Sequence, residues 1–474
     1  MTVTVKENNH HTLTIPSLET YDSKTELVNN EKCLSVPVLY PIPCISVPEK
    51  IYSPHEHRQL THPNNFLGAF LHLVKSSLGT GVLAVPRAFK SAGLLVGLIG
   101  NILIGILCTH TVYILVKTSE KVCARGKIPS LGFADTAEEV FKQGPKPLRR
   151  YSGAARLFVE IALVSTYYLG VAVYMVFISV SLTKLLKEYY PQAEEWDKYL
   201  LKLIIMSLLM FLCQIREIKH LVPFSFIANV ALAVVFGITG YYIFSGLDEV
   251  KQETVHFSNG FSGIPSFFST VLFAMEGIGT IMPVENSMPK PKFLGPCGVL
   301  NSAMVVIVFF FTSIGFLGYY RYGDATEVTI TKNLPDDEIL AQIVQAAIAI
   351  SVFFSFMLQF YIPTDIMWKR LKRIIPREKH NLAQIALRTI MVAIVTAIAI
   401  AGGEDLGSLI DLVGAIFFSS LGFLIPAGLE IIVDFEDGWG RYHWKLIKNV
   451  LIICLAIFAL VSGSYYAILD MIEK

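Results

Sequence analysis

The sequence predicts an all-α polytopic membrane protein with about 11 transmembrane helices. Three observations carry that prediction. Of 474 residues, 53% are hydrophobic and only 16% charged, where a typical soluble chain carries about 25%. From Phe66 to the end, apolar runs recur near the roughly 20 residues that cross a ~30 Å hydrocarbon core. The runs are apolar all round, without the two-residue alternation of a membrane β-strand, so helices are expected.

Residues 1–65 stand apart. They are polar, mixed in charge and interrupted by Pro16, Pro37, Pro41, Pro43, Pro48, Pro54 and Pro63, with no signal-peptide core. They read as a disordered cytosolic N-terminal tail, with residues 66–474 forming the membrane domain. The spans fall at about 66–86, 93–117, 152–188, 200–215, 221–246, 262–284, 297–320, 338–362, 381–401, 407–433 and 446–468. The third is long enough to tilt or project from the bilayer. The fourth is short and contains Lys202, expected to snorkel to the interface. With the N-terminus cytosolic, the inside loops hold 22 Lys and Arg and the outside segments ten. That bias satisfies the positive-inside rule and puts the C-terminus on the extracellular or luminal side.

Several function classes drop out. A net charge of +1 argues against nucleic-acid partners; the lipid bilayer is the expected one. Seven sparse cysteines do not make a disulfide scaffold. No Walker A, His-Glu-x-x-His or Gly-x-Ser-x-Gly motif occurs, so no enzyme is expected. Asp365 and Asp411 lack the Gly-x-Gly-Asp setting of an intramembrane aspartyl protease. No catalytic residue, cofactor or resident metal is expected.

The first and sixth spans carry the functional signal. Gly79-Thr80-Gly81 interrupts the first, and Glu276-Gly277-Ile278-Gly279-Thr280 the sixth. Each is followed by a proline, Pro86 and Pro283. Glycines that only permit close helix packing, as Gly93 and Gly97 would, are the plainer reading. Yet the two breaks hold corresponding positions five helices apart, the pattern of a transport site built from an inverted repeat. A half-helix starting after Gly81 offers free N–H groups and a positive dipole end to a carboxylate. Carbonyls released from Phe273 to Gly277 offer acceptors to an ammonium. Together they describe a receptor for a zwitterion such as an amino acid, with Ser77, Gly79, Thr80, Gly81, Phe273, Glu276, Gly277 and Gly279 around it.

Two ionisable groups lie near the breaks. His72 is about two turns, ~10 Å, to the cytosolic side of Gly79; it is either a proton carrier or a packed histidine. Glu276 at the second break either titrates during a cycle or stays neutral as a backbone cap. His110 reads as structural. Asp365 has Lys369 and Arg370 nearby, Glu160 has Arg156 four residues earlier, and Asp411 has no evident partner.

The stretches HLVKSSLGTGVLAVPRAFKSAG (72–93), CTHTVYILV (108–116), FADTAEE (133–139), FAMEGIGTIMPVENSMPKP (273–291), LQFYIPTDI (358–366) and LVGAIFFSSLGFLIPAGLE (412–430) resemble the amino acid/auxin permease superfamily. Within it, the chain resembles the proton-coupled amino acid transporters. The resemblance implies a leucine-transporter-like 5+5 inverted repeat plus one extra helix. It also implies symport of small neutral amino acids with a co-transported proton, and a proton-coupling role for His72 alongside Glu276. Ser76-Ser77 stands where mammalian-type members tend to have Gly-Asn, which implies a different polarity at the site. A sodium-coupled transporter, or a sensor signalling through the tail, are the alternatives, at a plasma or endolysosomal membrane.

Overall fold

The computed structural model describes residues 52–58, 60, 63–189, 198–217, 220–247, 254–275, 277–335, 337–403 and 405–473. Among them every regular element is helical. The first eight helices are α1 (Phe66–Ser77), α2 (Val85–Ala92), α3 (Leu94–Gly126), α4 (Phe133–Gln143), α5 (Lys146–Arg149), α6 (Ser152–Tyr189), α7 (Lys198–Leu212) and α8 (Val222–Ser245). Then follow α9 (Ile264–Ala274), α10 (Ile278–Asn286), α11 (Val299–Tyr322), α12 (Ile339–Leu371), α13 (His380–Ala401), α14 (Leu406–Val413), α15 (Ile425–Val433) and α16 (Trp444–Glu473).

Nine of these segments, counting α9–α10 and α14–α15 as one each, are long and apolar enough to cross a membrane. A tenth is the pair α1 and Thr80–Ala92, bent by 45° at the Gly79 break. The shorter apolar helix Leu200–Leu212 completes the eleven runs seen in the sequence. The segments differ in enclosure. Residues 406–433, 152–186 and 264–286 are buried over 67%, 61% and 59% of their apolar windows, against 22% for 223–245. The tenth, third and sixth spans are therefore the inner ones, and the fifth faces lipid over most of its surface.

Local chemistry explains the ends. Asn65 caps α1 by accepting the Gly68 N–H at 2.7 Å, and Asp405 caps α14 through the Ser408 N–H at 3.3 Å. Between α14 and α15 the chain widens into a π-helix over Gly414–Leu424, a form found mostly at functional sites. Arg156 gathers Asp135 (3.0 Å), Glu138 (2.9 Å) and Glu160 (2.9 Å), tying the amphipathic α4 to α6. Glu160 also meets Arg370, and Asp365 pairs with Lys369 at 2.7 Å, as their spacing implied.

Lys202 does not snorkel. It is 1% exposed, and its ammonium donates to the carbonyls of Ala399 (3.2 Å) and Gly403 (2.6 Å) at the end of α13. Arg388, 2% exposed on α13, donates in turn to Cys213 (2.6 Å) and Ile215 (2.9 Å) just past α7. Each helix thus sends a cation to the other's negative dipole end, which neutralises charge otherwise costly inside a membrane.

The packed body also begins earlier than residue 66. Pro54–His57 form a 3₁₀ turn with His55 buried, and Arg58 clasps the Glu285 carboxylate at 2.8 and 3.0 Å. His55 Nε2 lies 3.4 Å from Glu120 and 4.0 Å from Glu285. These charges sit within the reading of residues 1–65 as tail; the half-buried Glu120 on α3 and the buried Glu285 on α10 hold them to the body. Residues 1–51 lie outside the described residues.

Candidate functional site

The two breaks meet in space. At the first, the Leu78 N–H closes α1 onto the Val74 carbonyl at 2.9 Å, and the Gly79 N–H bonds Ser77 at 2.9 Å. Leu78, at φ −79° and ψ 71°, is the centre of an inverse γ-turn. A 3₁₀ turn then starts at Thr80, two residues earlier than a start after Gly81, and leads into α2. At the second break α9 stops at Ala274 and α10 restarts at Ile278. Glu276 lies outside the described residues.

The two breaks pack reciprocally. A Cβ added to Gly81 would sit 2.7 Å from Ala274 Cα, at the end of α9. One added to Gly277 would sit 3.1 Å from Ser77 Oγ, at the end of α1. Thr280 Oγ1 lies 3.1 Å from Ser76 Oγ and stitches the half-helices together. The Gly277 carbonyl is already taken by the Thr280 N–H (2.9 Å) and hydroxyl (2.8 Å), so it is not a free acceptor for an ammonium.

A cavity of about 600 Å³ opens from these breaks. Its size is that of a small-molecule site. Gly79, Thr80, Gly277 and Gly279 line it, as does the exposed ring of His72. Three residues named from the sequence do not reach its wall. Gly81 is consumed by packing on Ala274, so at this position the plainer reading of the glycines holds. Ser77 is 8% exposed behind Gly277. Phe273, 2% exposed, meets Phe418 edge-on at 6.2 Å, and Phe418 of the π-helix forms the wall in its place.

Other wall residues escaped the sequence reading. They include Thr166, Tyr167 and Tyr174 on α6, Ser225 and Asn229 on α8, and Ser351, Ser355 and Gln359 on α12. A signal was there: polar residues spaced three or four apart within apolar spans share one helix face. Tyr167 comes so close that a Cβ on Gly279 would lie 2.2 Å from its hydroxyl, so Gly279 makes room for a neighbouring helix.

The cavity runs from Thr80 and Gly277 to Asn64 and Ser287, the ends the charge bias places toward the cytosol. The opposite end is closed by charge. Asp411 on α14, 2% exposed, takes Arg87 of α2 at 3.2 Å and the Ser266 hydroxyl at 2.7 Å, with Thr270 also donating. Gly407 leaves room for the guanidinium: a Cβ there would be 2.6 Å from Arg87 Cζ. Asp411 thus has a partner, 324 positions away, that no local pattern reveals.

Architecture and site now bear on ancestry. The model of the family described as transmembrane amino acid transporter protein matches residues 62–469. The chain belongs to this family, the amino acid/auxin permeases. It is 36% identical over 425 residues to the Drosophila melanogaster proton-coupled amino acid transporter-like protein pathetic, covering 89% of this chain and 88% of that one. It is 24% identical to the Caenorhabditis elegans probable amino acid transporter skat-1, over 86% of this chain and 90% of that one. The family is one of transporters rather than enzymes. Among solved structures, the inward-facing conformation of Mhp1 aligns with a TM-score of 0.51 at 13% identity, over 87% of this chain and 92% of that chain. The closed Mhp1 with bromovinylhydantoin bound gives 0.50 at 11% identity, over 90% and 94%. The fold is leucine-transporter-like, with paired broken spans at its centre.

Proposed function

We propose that this amino acid transporter family member is a secondary active symporter, carrying small neutral amino acids with a proton by alternating access. The observation that carries the reading is the single cavity joining both backbone breaks, with His72 on its wall. The N-terminal ends of the Thr80 turn and of α10 aim positive dipole ends into that space, which suits a substrate carboxylate. Hydroxyls from Ser76, Thr166 and Thr280 supply neutral partners for the rest of a small zwitterion. The similarity to the Drosophila proton-coupled amino acid transporter-like protein supports a proton as the coupling ion. In this reading His72, exposed on the cavity wall, releases that proton, and Glu276 takes it up near the substrate; the exposure of the imidazole to the cavity supports the first role.

The working orientation has the N-terminus cytosolic and the C-terminus extracellular or luminal, at a plasma or endolysosomal membrane. The test is uptake of labelled neutral amino acids into proteoliposomes. An inward acid gradient from about pH 5.5 to about pH 7.5 should drive accumulation, undiminished when sodium is replaced. Transport that stops on sodium removal would overturn proton coupling. His72→Ala should slow net uptake more than exchange.

A further inference from the structure

We propose that the cytosolic leaflet contributes one anionic glycerophospholipid to a built groove between α4, α6 and α15. The groove has a volume of about 360 Å³ and a wall almost entirely of carbon, including Phe141, Ala155, Phe158, Gly428, Leu429 and Ile432. It is open to the surroundings: Phe158 is 56% exposed and Tyr151, at its rim, 46%. The gap has a structural origin. Arg156 pulls the acidic side of α4 onto α6 through Asp135 and Glu138, while Gly144 presses against Ile432, where a Cβ would come to 2.8 Å. The small residues Ala137, Ala154 and Gly428 do not fill the space left between these anchors.

Charge at the rim selects the occupant. Helix α5 and the residue after it carry Lys146, Arg149 and Arg150, all exposed. Arg149 is engaged with the Gly144 carbonyl at 2.8 Å and Glu436 at 4.0 Å. Lys146 and Arg150 have no carboxylate partner among the described residues, and Arg150 stacks over the Tyr151 ring at 4.6 Å. An apolar slot with Arg150 at its rim and Lys146 on the same α4–α6 connection, both uncompensated and on the side the charge bias makes cytosolic, matches an acyl chain beneath an anionic headgroup. The occupant would wedge two helices of the transport core. The same α6 carries Thr166 and Tyr167 to the cavity, and α15 continues the π-helix that carries Phe418.

The experiment compares photoactivatable phosphatidylserine and phosphatidylcholine of identical chains, with the purified full chain in nanodiscs. Phosphatidylserine adducts should map to 151–159 and 424–432 in preference to phosphatidylcholine. Lys146→Gln with Arg150→Gln should cut phosphatidylserine labelling there about 25-fold, at roughly fivefold per cation, and leave phosphatidylcholine labelling alone. Gly428→Leu, at a site where an added Cβ meets nothing within 4 Å, should reduce labelling by both lipids without lowering the melting temperature. Equal labelling by the two lipids in the wild type would overturn the proposal. So would an unchanged signal in the double variant, or occupation of the groove by another protein in native membranes.

Discussion

Removing Arg87 from its pair with Asp411 perturbs one side of the transport cycle selectively. In the structure the cavity opens toward Asn64 and Ser287, the end the charge bias makes cytosolic, while this pair lies at the other end, so its energy stabilises the present state. Asp411 is 2% exposed and keeps two hydroxyl donors when the guanidinium is gone; the Arg87 side chain is 14% exposed. Breaking a buried pair from one side costs about 3–5 kcal/mol. The remaining hydroxyls and the partial exposure of Arg87 argue for the low end, about 3 kcal/mol. If the pair is open and hydrated in the outward-facing state, that loss falls on one state alone. At about 1.4 kcal/mol per factor of ten, Arg87→Met shifts the equilibrium about 100-fold toward outward-facing. The assay is thiol accessibility in a cysteine-free background, with a reporter at Asn259 near Arg87 and one at Ser287 on the wall of the cavity. The Asn259→Cys rate should rise and the Ser287→Cys rate fall. Adding Asp411→Asn removes the stranded charge and should recover part of the shift. Unchanged rates at both reporters would refute the reasoning.

Two other perturbations test the supporting structure. Lys202→Met and Arg388→Met should each lower stability by about 1–2 kcal/mol, the value of a well-placed cation at a buried helix C-terminus, read as a melting-temperature shift. Just past the C-terminal end of α15, Lys121 beside Asp437 holds its carboxyl below the usual range, helped by Arg125. A depressed folded-state value means the stabilisation is present above the unfolded carboxylate range and lost as pH falls through the folded value. Asp437→Asn should therefore flatten the acid limb of the melting-temperature curve, by less than about 1 kcal/mol because Asp437 is 48% exposed. A wild-type curve identical to the variant's would remove this contact from the account.

The spans were legible because lipid demands continuous apolar runs, and the breaks because glycines recur at matched places in two spans. What each glycine does was not. Gly79 opens onto the cavity and Gly81 backs onto Ala274, a difference set by a chain segment nearly two hundred positions away. The partners of buried charges were illegible for the same reason. Lys202 finds carbonyls of α13, Asp411 finds Arg87, and Arg58 finds Glu285; none of these partners is close in sequence. Pairs at helical spacing, such as Arg156 with Glu160, were readable because one helix brings them together.

The central claim is that substrate occupies the cavity at the paired breaks. It is tested most directly by counterflow of a labelled small neutral amino acid in proteoliposomes, comparing wild type with Gly79→Leu. A Cβ at Gly79 meets nothing within 4 Å, so the leucine enters the cavity rather than the fold. The wild type should show saturable counterflow, and the variant should lose it while keeping its melting temperature. Counterflow at the wild-type rate in Gly79→Leu would place the substrate elsewhere.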